Sequence, residues 1–340
     1  MERSVTNAAT RDKDTVDAWF GLVRRRAPGG HARRRDLRPV AFPGRSIPGS
    51  CVSTASDTIQ HVSDTARWVA LYRAMESERP DALFRDPYAR RLAGARGERI
   101  VDTMPKGRSW AWPMIVRTAV MDELILRAIE RDGVGTVLNL AAGLDTRPYR
   151  LPLPRALRWI EADFPDVIAY KQEQLKGERP AAALEQVGID LTDVAQRRAL
   201  FGQIGAAARQ LLVVSEGLLI YLTPDQVASL ADDLHAVMSF RWWLLDLATP
   251  GLLKMMAKNW GRALAAGNAP FQFAPAEGTR FFEPRGWGEA EFRSTWEEAN
   301  RLNRADVPFA WLWRLLGRLG SAKRREEMRR FSGIALLQRR

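Results

Sequence analysis

The stretch Thr136–Arg147, TVLNLAAGLDTR, decides the fold. The run 134–140 is short, apolar and rich in β-branched residues, as a parallel strand covered on both faces should be. The chain then breaks into a tight turn around Gly143, where the missing Cβ lets backbone approach a ligand closely. Twenty residues beyond Gly143 lie Glu161 and Asp163, at the end of a second strand-like run that begins at Leu157. A strand, a glycine turn and an acid about twenty residues later form the layout of a ribose-binding α/β site.

The glycines also narrow the ligand. A dinucleotide site uses G-x-G-x-x-G, because three glycines admit a pyrophosphate. The matching positions here are Ala141, Gly143 and Thr146. One glycine of three points to a nucleoside without phosphates, with S-adenosylmethionine as the candidate, and argues against a nicotinamide-dependent oxidoreductase.

Outward from this stretch, strand and helix signals alternate, which predicts an α/β sheet. Strands are expected over 134–140, 157–163, 185–190, 210–216 and 241–247, with FSGIALLQ (331–338) as the last. Helices are expected over 165–176, 193–208 and 224–238, the last with Thr223 as its N-cap and Pro224 in its first turn. Upstream, 63–75 and 115–131 have helical spacing, and Asp86-Pro87-Tyr88 opens a further turn and helix. The region 250–315, rich in Gly, Pro and Trp, reads as an insertion covering the sheet. Its tryptophans, with Trp242 and Trp243 just before it, either wall an acceptor pocket or pack core and lid.

In open α/β sheets ligands sit at the carboxyl ends of the strands. Acids fall at or near four such ends: Asp145, Asp163, Asp190 and Glu216. Asp163 can accept both ribose hydroxyls, with Glu161 on the same strand face as its rival. Alternatively, Asp163 caps the helix before Pro165. Asp190 can accept an adenine amine while the Leu191 N–H donates to a ring nitrogen; alternatively, Asp190 caps the helix after Thr192. Asp145 is expected to bond turn backbone. Glu216 interrupts the apolar run LLVVSEGLLIYL, and a buried carboxylate needs a partner. That partner is a cationic ligand or a buried arginine. Arg117, on an apolar helix, either snorkels to the surface or pairs with a carboxylate ligand.

Composition sets outer limits. The 340 residues carry a net charge of +12, and residues 1–55 supply eleven basic and five acidic side chains, half of that excess. This segment reads as a basic, poorly ordered extension, with an anionic-surface tether as the alternative. The charge keeps a nucleic-acid-binding or nucleic-acid-modifying role open, though nucleic acid is the less favoured partner. One cysteine and three scattered histidines give no metal site. No stretch is long and apolar enough to span a bilayer, and the start has no secretory pattern, so a cytoplasmic location is expected.

Taken together, DTARWVALYRAMESERPDALFRDPYA (64–89), NLAAGLDTRPYRL (139–151), IEADFPDVIAYK (160–171), IDLTD (189–193), SEGLLIYL (215–222), FFEPRGW (281–287) and RRFSGIALLQR (329–339) carry a resemblance. From about residue 57 onward the chain resembles the S-adenosylmethionine-dependent leucine carboxyl methyltransferase/polyketide O-methyltransferase family. The resemblance implies a Rossmann-like, seven-stranded class I methyltransferase sheet whose last strand is antiparallel. It implies a helical cap over 56–132, a cofactor-binding core over 133–249, a lid over 250–328 and the last strand over 329–340. It places Arg117 on the methionine carboxylate, the turn Ala141–Gly143 against the methionine part, and Asp163 on ribose. Asp190 and Leu191 would meet adenine, Glu216 the ammonium, and Tyr221 the substrate side. The family has Gly-Ala-Gly where this chain has Ala141-Ala142-Gly143, which adds a methyl group beside the expected cofactor and keeps a catalytically silent relative open. The implied reaction is methyl transfer to an oxygen of a small molecule. A carboxylate acceptor needs no base; a hydroxyl acceptor needs one, and Glu216 and His235 are the candidates.

Overall fold

The computed structural model describes residues 63–104, 106–266, 270–305 and 321–340. The extension 1–55, residues 56–62 of the expected cap, Trp311, Trp313 and the side chain of Trp260 lie outside the described residues. Seven strands form one sheet: β1 (Thr136–Leu140), β2 (Arg158–Asp163), β3 (Ala183–Gly188), β4 (Leu211–Ser215), β5 (Phe240–Ala248), β6 (Trp287–Ser294) and β7 (Ser332–Arg339). Their order is β3-β2-β1-β4-β5-β7-β6. The first five run parallel, and β7 is antiparallel to both β5 and β6.

The centre of the sheet follows from composition. TVLNL and LLVVS are buried at every position, because helices cover both faces of a parallel sheet. Leu138 lies in register with Ile160 on one side and Val213 on the other. Alternate residues feed two cores. Leu138, Val213, Trp243 and Leu245 face one; Val137, Leu212, Val214 and Leu244 face the other. Trp243 and Trp287 are fully buried and meet edge to face at 5.7 Å, so these two tryptophans are core side chains. β6 falls within the region read as a covering insertion. Its sequence, WGEAEFRS, places charges at every second position from Glu289 to Arg293, as suits an edge strand with polar groups toward solvent.

The helices start and stop on local chemistry. Between β4 and β5, Thr223 caps α7 (Pro224–His235) in a reciprocal box with Gln226. Asp193, rather than Asp190, caps α6 (Val194–Ala207). Three helices precede the sheet, α1 (Ser63–Ser77), α2 (Ala89–Thr103) and α3 (Ala111–Arg131), and a single helical turn, α4 (Arg147–Arg150), follows β1. Arg73 ties α1 to the turn after β1. It donates to the Leu144 carbonyl and to Asp86 at 2.8 Å, while Thr146 donates to the same Asp86 at 2.6 Å.

The helix α5 (Pro165–Gln174) is fastened to β2 by a buried charge pair. Lys171 Nζ donates to both oxygens of Glu161 at 2.7 Å, and neither side chain reaches solvent. Burial pushes the Glu161 carboxyl up, against the pull of Lys171. Lys171→Met leaves this carboxylate alone and is expected to cost about 3–5 kcal/mol in urea denaturation. The loss should grow as pH rises, because the native state then holds a proton the unfolded chain releases. Adding Glu161→Leu should recover most of it.

Candidate active site

The turn after β1 is built from left-handed backbone. Gly143 has φ +52°, and Ala141 has φ +50°, a region where an alanine carries strain. The Ala141 methyl group packs against the core cluster on the Leu138 face of the sheet. A Cβ on Gly143 would stand 3.2 Å from the Ala66 methyl of α1, so the cap closes tightly over this turn. The Gly143 N–H donates to Asp163 Oδ2 at 2.6 Å, and the Phe164 N–H donates to Oδ1 at 2.7 Å. Asp163 is therefore no helix cap; the residue at the N-cap position of α5 is Phe164. Burial pushes its carboxyl up, offset in part by those two amides. Each oxygen keeps a lone pair, and no cation bonds it among the described residues.

Two sequence alternatives separate here. Glu161 is taken up by Lys171, with Gln186 donating to it at 2.9 Å, so it belongs to the fold. Asp190 is exposed, and its Oδ1 accepts from the Thr192 N–H and hydroxyl at 2.8 and 2.7 Å. That turn presents Leu191, whose carbonyl accepts from Arg197 at 2.8 Å and whose N–H has no partner among the described residues. The backbone bond from the Ile189 N–H to the Asp163 carbonyl, 2.7 Å, holds the Asp190 turn beside the end of β2.

The other half of the site is an ion cluster. Arg117 is buried rather than snorkelling. It lies between Glu216 (Nε to Oε1, 3.0 Å) and Asp246 (Nη1 to Oδ2, 3.0 Å). Glu216 also accepts from Arg147 at 2.7 Å, so its partners are two arginines. Burial pushes Glu216 up, but Arg147 and Arg117 outweigh it and hold the carboxyl below the ordinary carboxylate range. Arg147 continues to Asp122 and Asp145, and Arg150 pairs with Asp122 at 2.6 Å. Asp145 bonds the Arg147 backbone N–H at 2.9 Å and Asn139 at 2.8 Å, as a turn acid.

Asp246 escaped the sequence reading. It sits near the carboxyl end of β5, the strand whose acid was not counted with the other four. Its Oδ1 accepts the Gly217 N–H at 2.6 Å, and Gly217 has φ +67°. An aspartate inside FRWWLLDLA was the available signal.

Tyr221 ends a short 3₁₀ turn, Leu219–Tyr221. Its hydroxyl hydrogen-bonds Thr65 of α1, and burial pushes that hydroxyl up. Its ring packs on Phe271 at 5.6 Å. His235 is not part of this assembly. It ends α7, at the opposite edge of the sheet from the strand carboxyl ends, against Trp287. The connection from β4 to β5 must carry α7 across the sheet, so its last residue cannot serve as a base at this site. Among the described residues, no group of three or more His, Cys, Asp or Glu is placed to hold a metal ion. No described helix is long and apolar enough to cross a membrane.

This seven-stranded order with an antiparallel β7 is that of the class I S-adenosylmethionine-dependent methyltransferases. A DUF574-family protein of Streptomyces avermitilis superposes with a TM-score of 0.53, covering 84% of this chain and 99% of its own at 13% identity. S-adenosyl-L-methionine-dependent methyltransferases of Mycolicibacterium gilvum and Mycobacterium sp. (strain KMS) are similar in sequence. The first is 36% identical over 58% of this chain and 69% of its own; the second, 33% over 73% and 89%. Residues 66–235 match the leucine carboxyl methyltransferase family. The chain belongs to that family, and it is an enzyme that uses S-adenosylmethionine to methylate an acceptor.

The strained Ala141 gives a measurable order of stability. Ala141→Gly removes a left-handed cost of about 1–2 kcal/mol but adds about 0.4–1 kcal/mol of unfolded-state entropy. It should melt at or slightly above the parent. Ala141→Val should melt well below it, because a β-branched residue is an outlier at positive φ. Thermal unfolding of the three proteins checks the order.

Proposed function

We propose that this site binds S-adenosylmethionine across the ends of β1, β2, β4 and β5 and methylates a carboxylate oxygen of a small-molecule acid. The cofactor supplies a methyl group made electrophilic by a sulfonium. The residues present fit it. Among the described residues Asp163 has a free lone pair on each oxygen and no bonded cation, which suits two ribose hydroxyls. Arg117 has its Nη2 without a hydrogen bond to any described residue, which suits the methionine carboxylate. Glu216 lies beside Arg117 for the ammonium, and Asp190 with the Leu191 N–H suits adenine. The turn Ala141–Gly143 approaches the methionine part, and Tyr221 stands on the acceptor side.

One observation carries the choice of acceptor. Glu216 is the carboxylate placed to act as a base, yet two guanidiniums hold it ionised and hydrogen-bonded. A hydroxyl acceptor would need a proton taken from it; a carboxylate arrives ionised near neutrality. The protein's part is then to align the acceptor oxygen in line with the methyl–sulfur bond and to exclude water. Tyr221, its hydroxyl kept protonated by burial, can orient the acid without exchanging a proton.

The basic charge supports a nucleic-acid reading less well. On the described surface Arg90 pairs with Glu78 and Glu98, Arg158 with Glu185, and Arg301 with Glu123.

The test uses methyl-labelled S-adenosylmethionine with a panel of organic acids and phenols. The expected product is an ester that releases labelled methanol in mild alkali; a base-stable ether as the main product would overturn the reading. The rate should stay flat from about pH 6 to 9, since no base titrates there. Asp163→Ala should weaken cofactor binding by about ten-fold or more, the worth of hydrogen bonds to a charged group.

A further inference from the structure

The ion cluster does not balance. Contacts of 3.0 Å or less join Arg117, Arg147 and Arg150 to Asp122, Asp145, Glu216 and Asp246. Three guanidiniums face four carboxylates, so with all of them ionised the cluster carries one negative charge in excess. Two neighbouring pairs add no net charge, Lys171 with Glu161 and Arg73 with Asp86, and Asp163 adds a further carboxylate that only backbone amides bond among the described residues. A buried charge in excess calls for a cation. The excess is not evenly hidden. The side chains of Asp122 and Asp145 are 10% and 9% accessible, Glu216 15%, and Asp246 25%. Asp246 also has one free lone pair on each oxygen, since Gly217 and Arg117 take one bond each.

We propose that Asp246 is a ligand-discriminating residue: the negative charge it adds beside Arg117 and Glu216 selects the sulfonium donor over the thioether left after transfer. This rests on the site reading given above. On transfer the carbon–sulfur bond breaks and its electron pair stays on sulfur, while a carboxylate lone pair forms the new carbon–oxygen bond. One positive charge on sulfur and one negative charge on the acceptor disappear together. S-adenosylmethionine, with sulfonium, ammonium and carboxylate, brings a net +1 and neutralises the cluster. S-adenosylhomocysteine brings zero and leaves the excess exposed. The site thus holds substrate more tightly than product, which favours exchange after each turnover. Without Asp246 the remaining members of the cluster, three guanidiniums and three carboxylates, sum to zero, and its share of the preference is lost.

Isothermal titration calorimetry of the full chain with each ligand tests this. The wild type should bind S-adenosylmethionine at least about ten-fold more tightly than S-adenosylhomocysteine, about 1.4 kcal/mol. This is a modest value for one charge at a partly exposed site. Asp246→Asn keeps an acceptor for the Gly217 N–H but removes the charge; the preference should fall about ten-fold, and Asp246→Glu should restore it. A merely structural role would weaken both ligands by one factor, and that result overturns the proposal. Equal affinities in the wild type overturn it without any variant. If neither ligand binds the wild type, the site reading itself fails instead.

Discussion

The carboxyl ends of the parallel strands are held together by Arg117 and Arg147, buried against acids from four different elements. Neither guanidinium can sit beneath the sheet edge alone, because desolvation of one uncompensated charge costs several kcal/mol. Glu216 meets both of them. It therefore fixes the long helix α3 to the end of β4 and fixes the turn after β1 to the same point. Asp246 extends the tie to β5. The edge is held by charge pairs with defined geometry, where the rest of the molecule is held by apolar contact without direction.

The backbone is shaped to serve that edge. Three residues, Ala141, Gly143 and Gly217, take left-handed conformations after the ends of β1 and β4. Each turns the chain sharply away from its strand, and two of the three aim an N–H at a carboxylate: Gly143 at Asp163 and Gly217 at Asp246. The first pair holds a carboxylate whose remaining lone pairs meet no cation among the described residues. The second holds one inside a crowded ionic group. Two acids in similar positions, at the ends of parallel strands, thus acquire different chemistry from their neighbours alone.

Much of this was legible in the chain. TVLNL and LLVVS announce buried parallel strands because their apolar runs are too short for helices and too continuous for a half-exposed sheet. Thr223 and Pro224 announce a helix start for reasons contained in four residues. The glycine count, one of three, bears on ligand size without any knowledge of packing. β6 was missed, although Glu289, Glu291 and Arg293 alternate with Ala290 and Phe292, because two apolar positions are too short a pattern to stand out in a Gly-, Pro- and Trp-rich region. Asp246 was legible in principle, as a charge within an apolar strand, but nothing local says which arginine it meets.

The sequence by itself determined the strand and helix pattern, the order of the acids along it and the absence of a phosphate cradle, because these follow from periodicity and local backbone chemistry. Only the tertiary structure decided which acids remain available. Glu161 and Asp163 are two residues apart on one strand face, yet Lys171 claims the first and two backbone amides claim the second. Glu216 and Arg117, 99 positions apart, compensate each other. Pairing of charges is a matter of distance and burial in space, and a chain read in one dimension carries neither.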